Sequence, residues 1–389
     1  MPLPIPQVDG NRIVDAQGRP MLWRGMGLGC WLLPEGYMLG FGGSASSPRR
    51  IDDVVRQLIG EDAALRFWRD FRERYVTRAD VALAKRLGFD HLRLPFSHRL
   101  LVTDELPRRL AGPGWELIDR CVTWCREEGL GLILDMHGAP GGQTGDNIDD
   151  SDGYPFFYED SDSQELACAI WGELARRYRD EPTVWAYELL NEPLTHHPEN
   201  LSEAHRAALE PLYRRMTAAI RVHDPRRIVI LGGARWNTDF SIFGKPFDPQ
   251  LVYAFHRYWM EAEAAALAPY QEFSQRWNVP VWLGETGENT DAWAGAMRRF
   301  AEEAGIGWTW WTWKRIGEGR TVARVQPPAG WEAVKAFAAA ARGSFADIRK
   351  HRPPLAEARA TLAGYLDAIR LERCQLDHGF IAALGLRAP

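Results

Sequence analysis

The chain lacks most of what a disulfide-stapled, membrane-spanning or nucleic-acid-binding protein needs. Its five cysteines (Cys30, Cys121, Cys125, Cys168 and Cys374) are odd in number and include no C-x-x-C pair, which argues against a disulfide framework or a zinc ribbon. Cys121 and Cys125, four apart on an expected helix, read as small buried hydrophobes. No apolar run reaches the roughly 18 residues of a membrane span, and mean hydropathy is −0.34. Positive charge is not in excess. Lys and Arg number 47 against 52 Asp and Glu, a net charge of −5, without the basic footprint of a nucleic-acid binder. No H-x-H or H-x-x-x-H spacing suggests a metal site, and no cofactor is expected. Residues 1–6 carry neither a basic nor an apolar stretch, so no secretory leader is visible and a cytoplasmic location is expected. No fixed-period repeat or linker divides the 389 residues.

Tryptophan is abundant, at 17 against 16 Phe and 11 Tyr. Such indoles serve as core or as stacking surface for flat apolar ligand faces, sugar rings among them. Eight short apolar runs bounded by turn residues read as strands: 21–26, 91–94, 131–136, 184–190, 228–231, 251–255, 281–285 and 307–311. Helical patterns lie between them at 78–87, 115–128, 163–178, 202–222 and 293–304. Near-continuous apolar strands alternating with amphipathic helices predict a parallel sheet buried on both faces. Eight such units in about 300 residues fit a (β/α)8 TIM barrel. The competing open doubly wound sheet would show a phosphate-binding glycine loop after its first strand. Gly25, Gly27 and Gly29 have the wrong spacing and no helix opens behind them. Residues 8–18 predict a small hairpin plugging the barrel bottom. The glycine-rich stretches 40–50 and 141–153 read as long loops. The barrel is assigned residues 1–345, and 346–389 a helical C-terminal extension packed on it.

In such a barrel, functional groups sit at the C-terminal ends of the strands. Arg93, His137, Asn191–Glu192, His256–Tyr258, Glu285 and Trp311 all fall at or near those ends. Glu192 and Glu285, on strands four and seven, are a carboxylate pair suited to glycosidic cleavage, one donating a proton and the other attacking the anomeric carbon. Arg93, Asn191, His256 and Tyr258 are neighbours able to hold those ionisation states and to grip a sugar hydroxyl. Taken singly, a strand-end Glu reads as a salt-bridge partner, each His as a structural hydrogen-bonding group, and Lys314 as a solvated or salt-bridged side chain. Their joint placement outweighs those separate readings.

On these residues the chain resembles glycoside hydrolase family 5, the cellulase family of retaining (β/α)8 glycosidases, over residues 14–314. The resemblance implies that Glu192 is the general acid/base, Glu285 the nucleophile, Trp311 the platform beneath the sugar and Tyr258 a contact to the nucleophile. Arg93, His137, Asn191 and His256 match the remaining recurring positions. The stretch 24–35, ending in Glu35, and 137–143 are similar to the exo-β-glucanase branch, in which Glu35 would grip the outer hydroxyls of a terminal glucose. Gly284-Glu285-Thr286-Gly287-Glu288-Asn289 departs from that branch. The expectation is a retaining β-glycosidase with a carbohydrate substrate and no metal. An exo mode on β-glucosides or short β-glucans is favoured over an endo-β-glucanase with an open cleft. A non-catalytic carbohydrate-binding barrel and a metal-dependent hydrolase built on His137 and His256 are the rivals from other classes.

Overall fold

A computed structural model describes residues 3–388 except 43, 44, 147, 152, 196–201 and 318; parts of both glycine-rich loops expected at 40–50 and 141–153 therefore lie outside the described residues. Eight parallel strands close into a barrel: β1 (Arg24–Gly27), β2 (His91–Ser97), β3 (Gly131–Gly138), β4 (Val184–Glu188), β5 (Ile228–Gly232), β6 (Leu251–Arg257), β7 (Val281–Gly287) and β8 (Trp308–Trp311). Each pairs with its sequence neighbour, and β8 returns to β1 with Trp308 beside Arg24 and Trp310 beside Met26. Every residue of β2, β3, β4, β5 and β7 is buried. Strands covered by helices outside and by packed side chains inside require this.

The helices start where side-chain caps satisfy their first free N–H groups. Asp160 accepts from the Ser163 amide, Ser202 from His205 and Thr290 from Trp293. Thr77 and Asp80 form a capping box. One expectation needs correction: the stretch 40–50 is not loop throughout, because a helix, Pro48–Ile59, opens inside it. Proline at a first helical position is pre-set for that geometry.

The N-terminal hairpin, Gln7–Asp9 with Arg12–Val14, is present, and Ile13 packs on a lower core of Trp23, Trp185, Ile230, Val252 and Trp282. Of the C-terminal helices Phe345–His351, Leu355–Ala368 and His378–Ala383, the last two lie against the barrel's outer helices. Arg352 donates to the carbonyls of Gln57 and Leu58. Lys314 is salt-bridged, not solvated. Its buried ammonium lies 2.7 Å from Asp80 and donates to the Tyr75 and Ile369 carbonyls. A buried ammonium is tolerable only with such a full set of partners.

The barrel interior has two layers. In the lower one, Trp23, Trp185 and Trp282 surround His91, with ring centroids 5.5–6.2 Å apart. The alternate glycines of β1 make room for these rings and for Trp311. A Cβ on Gly25 would lie 2.2 Å from His91, and one on Gly27 would lie 2.6 Å from Trp311. The upper layer is charged and forms the site.

Candidate active site

Arg93 is the hub. It lies mid-strand in β2 and is fully buried, two residues above His91 on the same inward face. Its Nε donates to Glu188 Oε2 at 2.6 Å, and Nη2 to Asn191 Oδ1 at 2.7 Å and to Asp135 Oδ2 at 3.0 Å. Nη1 donates to Glu285 Oε1. One guanidinium thus holds three carboxylates and an amide in fixed positions, a use of its rigid fork that lysine could not duplicate.

Glu285 sits inside β7 and takes a second hydrogen bond from the Tyr258 hydroxyl at 2.9 Å. Tyr258 directly follows β6. Glu192 does not close β4 as expected. The strand stops at Glu188, and Glu192 lies on the turn beyond it, with φ of +40°. His256, inside β6, places Nδ1 2.7 Å from Glu192 Oε1 and 3.7 Å from Glu285 Oε2. One ligating atom each from Glu192, His256 and Glu285 lies within 4.8 Å of the other two. The span would suit a small cation, but the one hydrogen bond among these groups is that between His256 Nδ1 and Glu192 Oε1, and no ligand role follows from proximity.

The two glutamates live in different surroundings. Burial pushes the Glu192 carboxyl up to about 8, with Asp135, Glu188 and Glu288 adding to the rise and Arg93 opposing it. Glu285 is gripped by a guanidinium and a phenol. Burial pushes the His256 imidazole down to about 4 and that of His137 to about 3, so both rings are neutral. His137 Nδ1 donates to Asp135 Oδ2 at 2.7 Å, and its Nε2 accepts from Asn191 Nδ2 at 3.2 Å. The His137 ring lies parallel to Trp311, 2° between planes and 5.5 Å between centroids. Trp311 Nε1 donates to the Tyr37 hydroxyl at 2.6 Å, which orients the indole face.

Glu35 lies in the loop after β1, is 2% exposed, and its Oε1 has no hydrogen-bond partner. Burial, then Glu285, Glu192 and Glu288, push its carboxyl well above the ordinary range. All nine residues expected from the sequence are thus brought to one end of the barrel. Sequence reasoning missed Asp135, Glu188, Tyr37, Asn237, Glu288 and Arg315. Asp135 and Glu188 had left a signal: a carboxylate inside an apolar strand must find a buried cation, and Arg93 was the available one. Glu288 pairs with Arg315 at 3.3 Å, and Arg315 also covers the Tyr37 ring.

The loop after β3 packs inward around Asp149, which accepts from the amides of Gln143, Thr144 and Ser151. Gln143 Nε2 donates to the carbonyls of His137 and Asn191. Asp150 takes bonds from the Arg49 amide and from Arg99, which ties this loop to the helix that follows Glu35.

A closed parallel barrel with paired glutamates beyond β4 and in β7, an arginine hub and a tryptophan platform defines a class of (β/α)8 proteins built around two carboxylates. The chain matches the pattern of Cellulase (glycosyl hydrolase family 5) over residues 59–317, and it belongs to that family. It is 35% identical over 268 residues to a β-xylosidase of Phanerodontia chrysosporium, covering 68% of this chain and 54% of the relative. It is 32% identical over 194 residues to Endoglucanase C of Acetivibrio thermocellus, covering 49% of this chain and 53% of the relative. The chain therefore spans about half the length of these curated relatives. The rutinosidase of Aspergillus niger has the same fold, with a TM-score of 0.61 at 19% identity over 77% of this chain and 93% of that one.

Proposed function

We propose that the protein is a retaining β-glycosidase that hydrolyses β-glucosidic bonds of β-glucosides or short β-glucans by double displacement. Glu192 is the general acid/base and Glu285 the nucleophile. The observation that carries this reading is the pair itself: carboxylate oxygens within 4.8 Å of each other, in environments that differ. Retaining enzymes hold their carboxyl groups about 5–5.5 Å apart, because the second attacks the anomeric carbon directly and no water must fit between. Glu192, held protonated by burial, gives its proton to the leaving oxygen. Glu285 forms the glycosyl–enzyme bond, and Glu192 then takes a proton from the attacking water. Arg93 and Tyr258 fix the nucleophile. Trp311 offers the sugar a flat face, and Asn191, directly before Glu192, bridges Arg93 and His137.

The mode of attack that fits best is removal of single sugars from the non-reducing end. Glu35 presents a buried, unpartnered oxygen 3.9 Å from His137 Nε2, and outer hydroxyls of a terminal sugar would satisfy it. The loop knit together by Asp149 and Asp150 is anchored beside the site, Gln143 bonding the His137 and Asn191 carbonyls. The relationship to Endoglucanase C favours a second reading, internal cleavage in an open groove. Time-resolved product analysis on β-1,3-, β-1,4- and β-1,6-linked oligosaccharides separates the two. Monosaccharide as first product, with Glu35→Ala losing about 10-fold or more in kcat/KM on unmodified oligosaccharides, is expected from the cost of one buried hydrogen-bonding group. Larger first products with rapid viscosity loss on polymer would establish the groove.

A further inference from the structure

The loop after β5 carries a feature that the roles above leave unused. Arg235, Trp236 and Asn237 follow one another at φ of +52°, +54° and +59°. Each is a conformation that side-chain-bearing residues rarely adopt, and three in succession persist only where surroundings over-determine them. The surroundings are visible. Asn237 N donates to the Gly233 carbonyl at 3.2 Å, Trp236 N to Leu194 at 2.9 Å, and Ala234 and Asp239 bond each other in both directions. The product of this contortion is one side chain. Asn237 is wholly buried, and its Nδ2 lies 3.0 Å from His256 Nε2. Gly232, the last residue of β5, makes the approach possible, since a Cβ there would lie 2.2 Å from Asn237 Oδ1.

We propose that Asn237 is a positioning residue. By donating to His256 Nε2 it keeps the imidazole proton on Nδ1, so that His256 donates to Glu192. The proposal rests on the acid/base reading of Glu192 for its kinetic consequence but not for its structural one. A neutral imidazole carries one proton on two nitrogens, and the partner of one nitrogen decides the role of the other. With the proton on Nδ1, His256 stabilises the ionised Glu192 that must receive a proton from water in the second half-reaction. With the proton on Nε2, a lone pair would face that carboxylate, and the group would return to its acid form. The other charged or titratable groups facing this pair are Glu35 after β1, Arg93 on β2, Asp135 and His137 on β3, Glu188 on β4, Tyr258 after β6, Glu285 on β7 and Glu288 beyond it. None of them is hydrogen-bonded to His256 Nε2, so Asn237 alone sets that nitrogen's role among the described residues.

The test is a spectroscopic reading of the tautomer. Long-range ¹⁵N–¹H correlation on histidine-labelled protein should show His256 with Nδ1 protonated in the wild type. In Asn237→Asp, whose carboxylate can only accept, the proton should move to Nε2. The alkaline limb of kcat/KM on an unactivated β-glucoside should then shift up by about one pH unit, the size of one lost hydrogen bond to a charged group. On an activated aryl β-glucoside, whose turnover is limited by deglycosylation, kcat should fall while kcat/KM holds. Asn237→Leu, which offers neither donor nor acceptor, should leave the tautomers mixed. A wild-type His256 protonated on Nε2, or a tautomer unchanged in Asn237→Asp, would overturn the proposal. If the tautomer moves as expected but Glu192→Gln spares unactivated substrates, the acid/base reading fails and the positioning stands.

Discussion

The two layers inside the barrel are built on the same strands with opposite physics. Below, β2 contributes His91 and β7 contributes Trp282 to a cluster of rings. Above, the same strands contribute Arg93 and Glu285 to a charged network. The lower layer gains stability from area removed from water, and nothing in it needs an exact position beyond packing. The upper layer gathers Asp135, Glu188 and Glu285 around one guanidinium, with Glu192 close by on His256, an arrangement that on desolvation grounds is at best neutral for stability. The molecule keeps its chemistry where it contributes least to folding, and its folding energy where no chemistry occurs.

The sharpest way to break that comparison is to strike β7 at both levels. Glu285→Gln should lower kcat by about 10⁴-fold or more on every substrate, as loss of a nucleophile does, while the melting temperature changes little. Trp282→Ala should do the reverse, costing about 3–5 kcal/mol of stability and leaving the activity of the folded fraction near that of the wild type. Denaturant titration beside steady-state kinetics reads both. Similar activity losses in the two variants would erase the distinction.

A smaller and more selective effect is expected at Glu192. Glu192→Gln should lose about 10²–10⁴-fold on substrates with poor leaving groups, the usual worth of a positioned proton donor. It should spare glycosylation by activated aryl glycosides. Burst kinetics with a dinitrophenyl β-glucoside should show the glycosyl–enzyme accumulating; a uniform loss across leaving groups would remove the acid role.

The smallest effect is a pH dependence of stability. The folded Glu192 carboxyl titrates at about 8, well above an unfolded glutamate near 4.3. Between these values the folded state binds the extra proton, so its contribution is complete at low pH and is lost as pH rises toward 8. His137 and His256 are depressed and act in the opposite sense, but only below about pH 6.5. Between about pH 6.5 and 8, Glu192 should therefore lower wild-type stability by up to about 1.4 kcal/mol per pH unit, the limit for one proton; Glu35, and Asp135 with its carboxyl pushed up to about 7, are raised by burial and act in the same sense. Glu192→Gln should reduce that slope by its one-proton share. An unchanged slope would place the titration elsewhere.

These contrasts also mark what the sequence could disclose. All eight strands were legible because each is an apolar run, and the site residues because chemistry-bearing types follow those runs. Strand ends were misplaced where pairing continues under polar side chains, as in β2 to Ser97 and β7 to Gly287, or stops short, as in β4 at Glu188. The helix at Pro48 was hidden in a stretch rich in glycine and serine. Asn237 was invisible for a different reason. Its role depends on a backbone path through three left-handed residues, and no periodicity encodes that.

The glycines at and just beyond the end of β1 have a consequence for how this barrel can change. Gly27 and Gly29 exist in the shadow of one indole: a methyl group on either would lie 2.5–2.6 Å from Trp311 ring atoms. A substitution at one wall of the barrel therefore cannot be accepted without a smaller residue at the other, and a smaller residue there removes the flat indole face proposed to seat the sugar. The three positions are free to vary only in concert. A descendant that enlarged β1 would have to find a new way of holding its ligand in the same step.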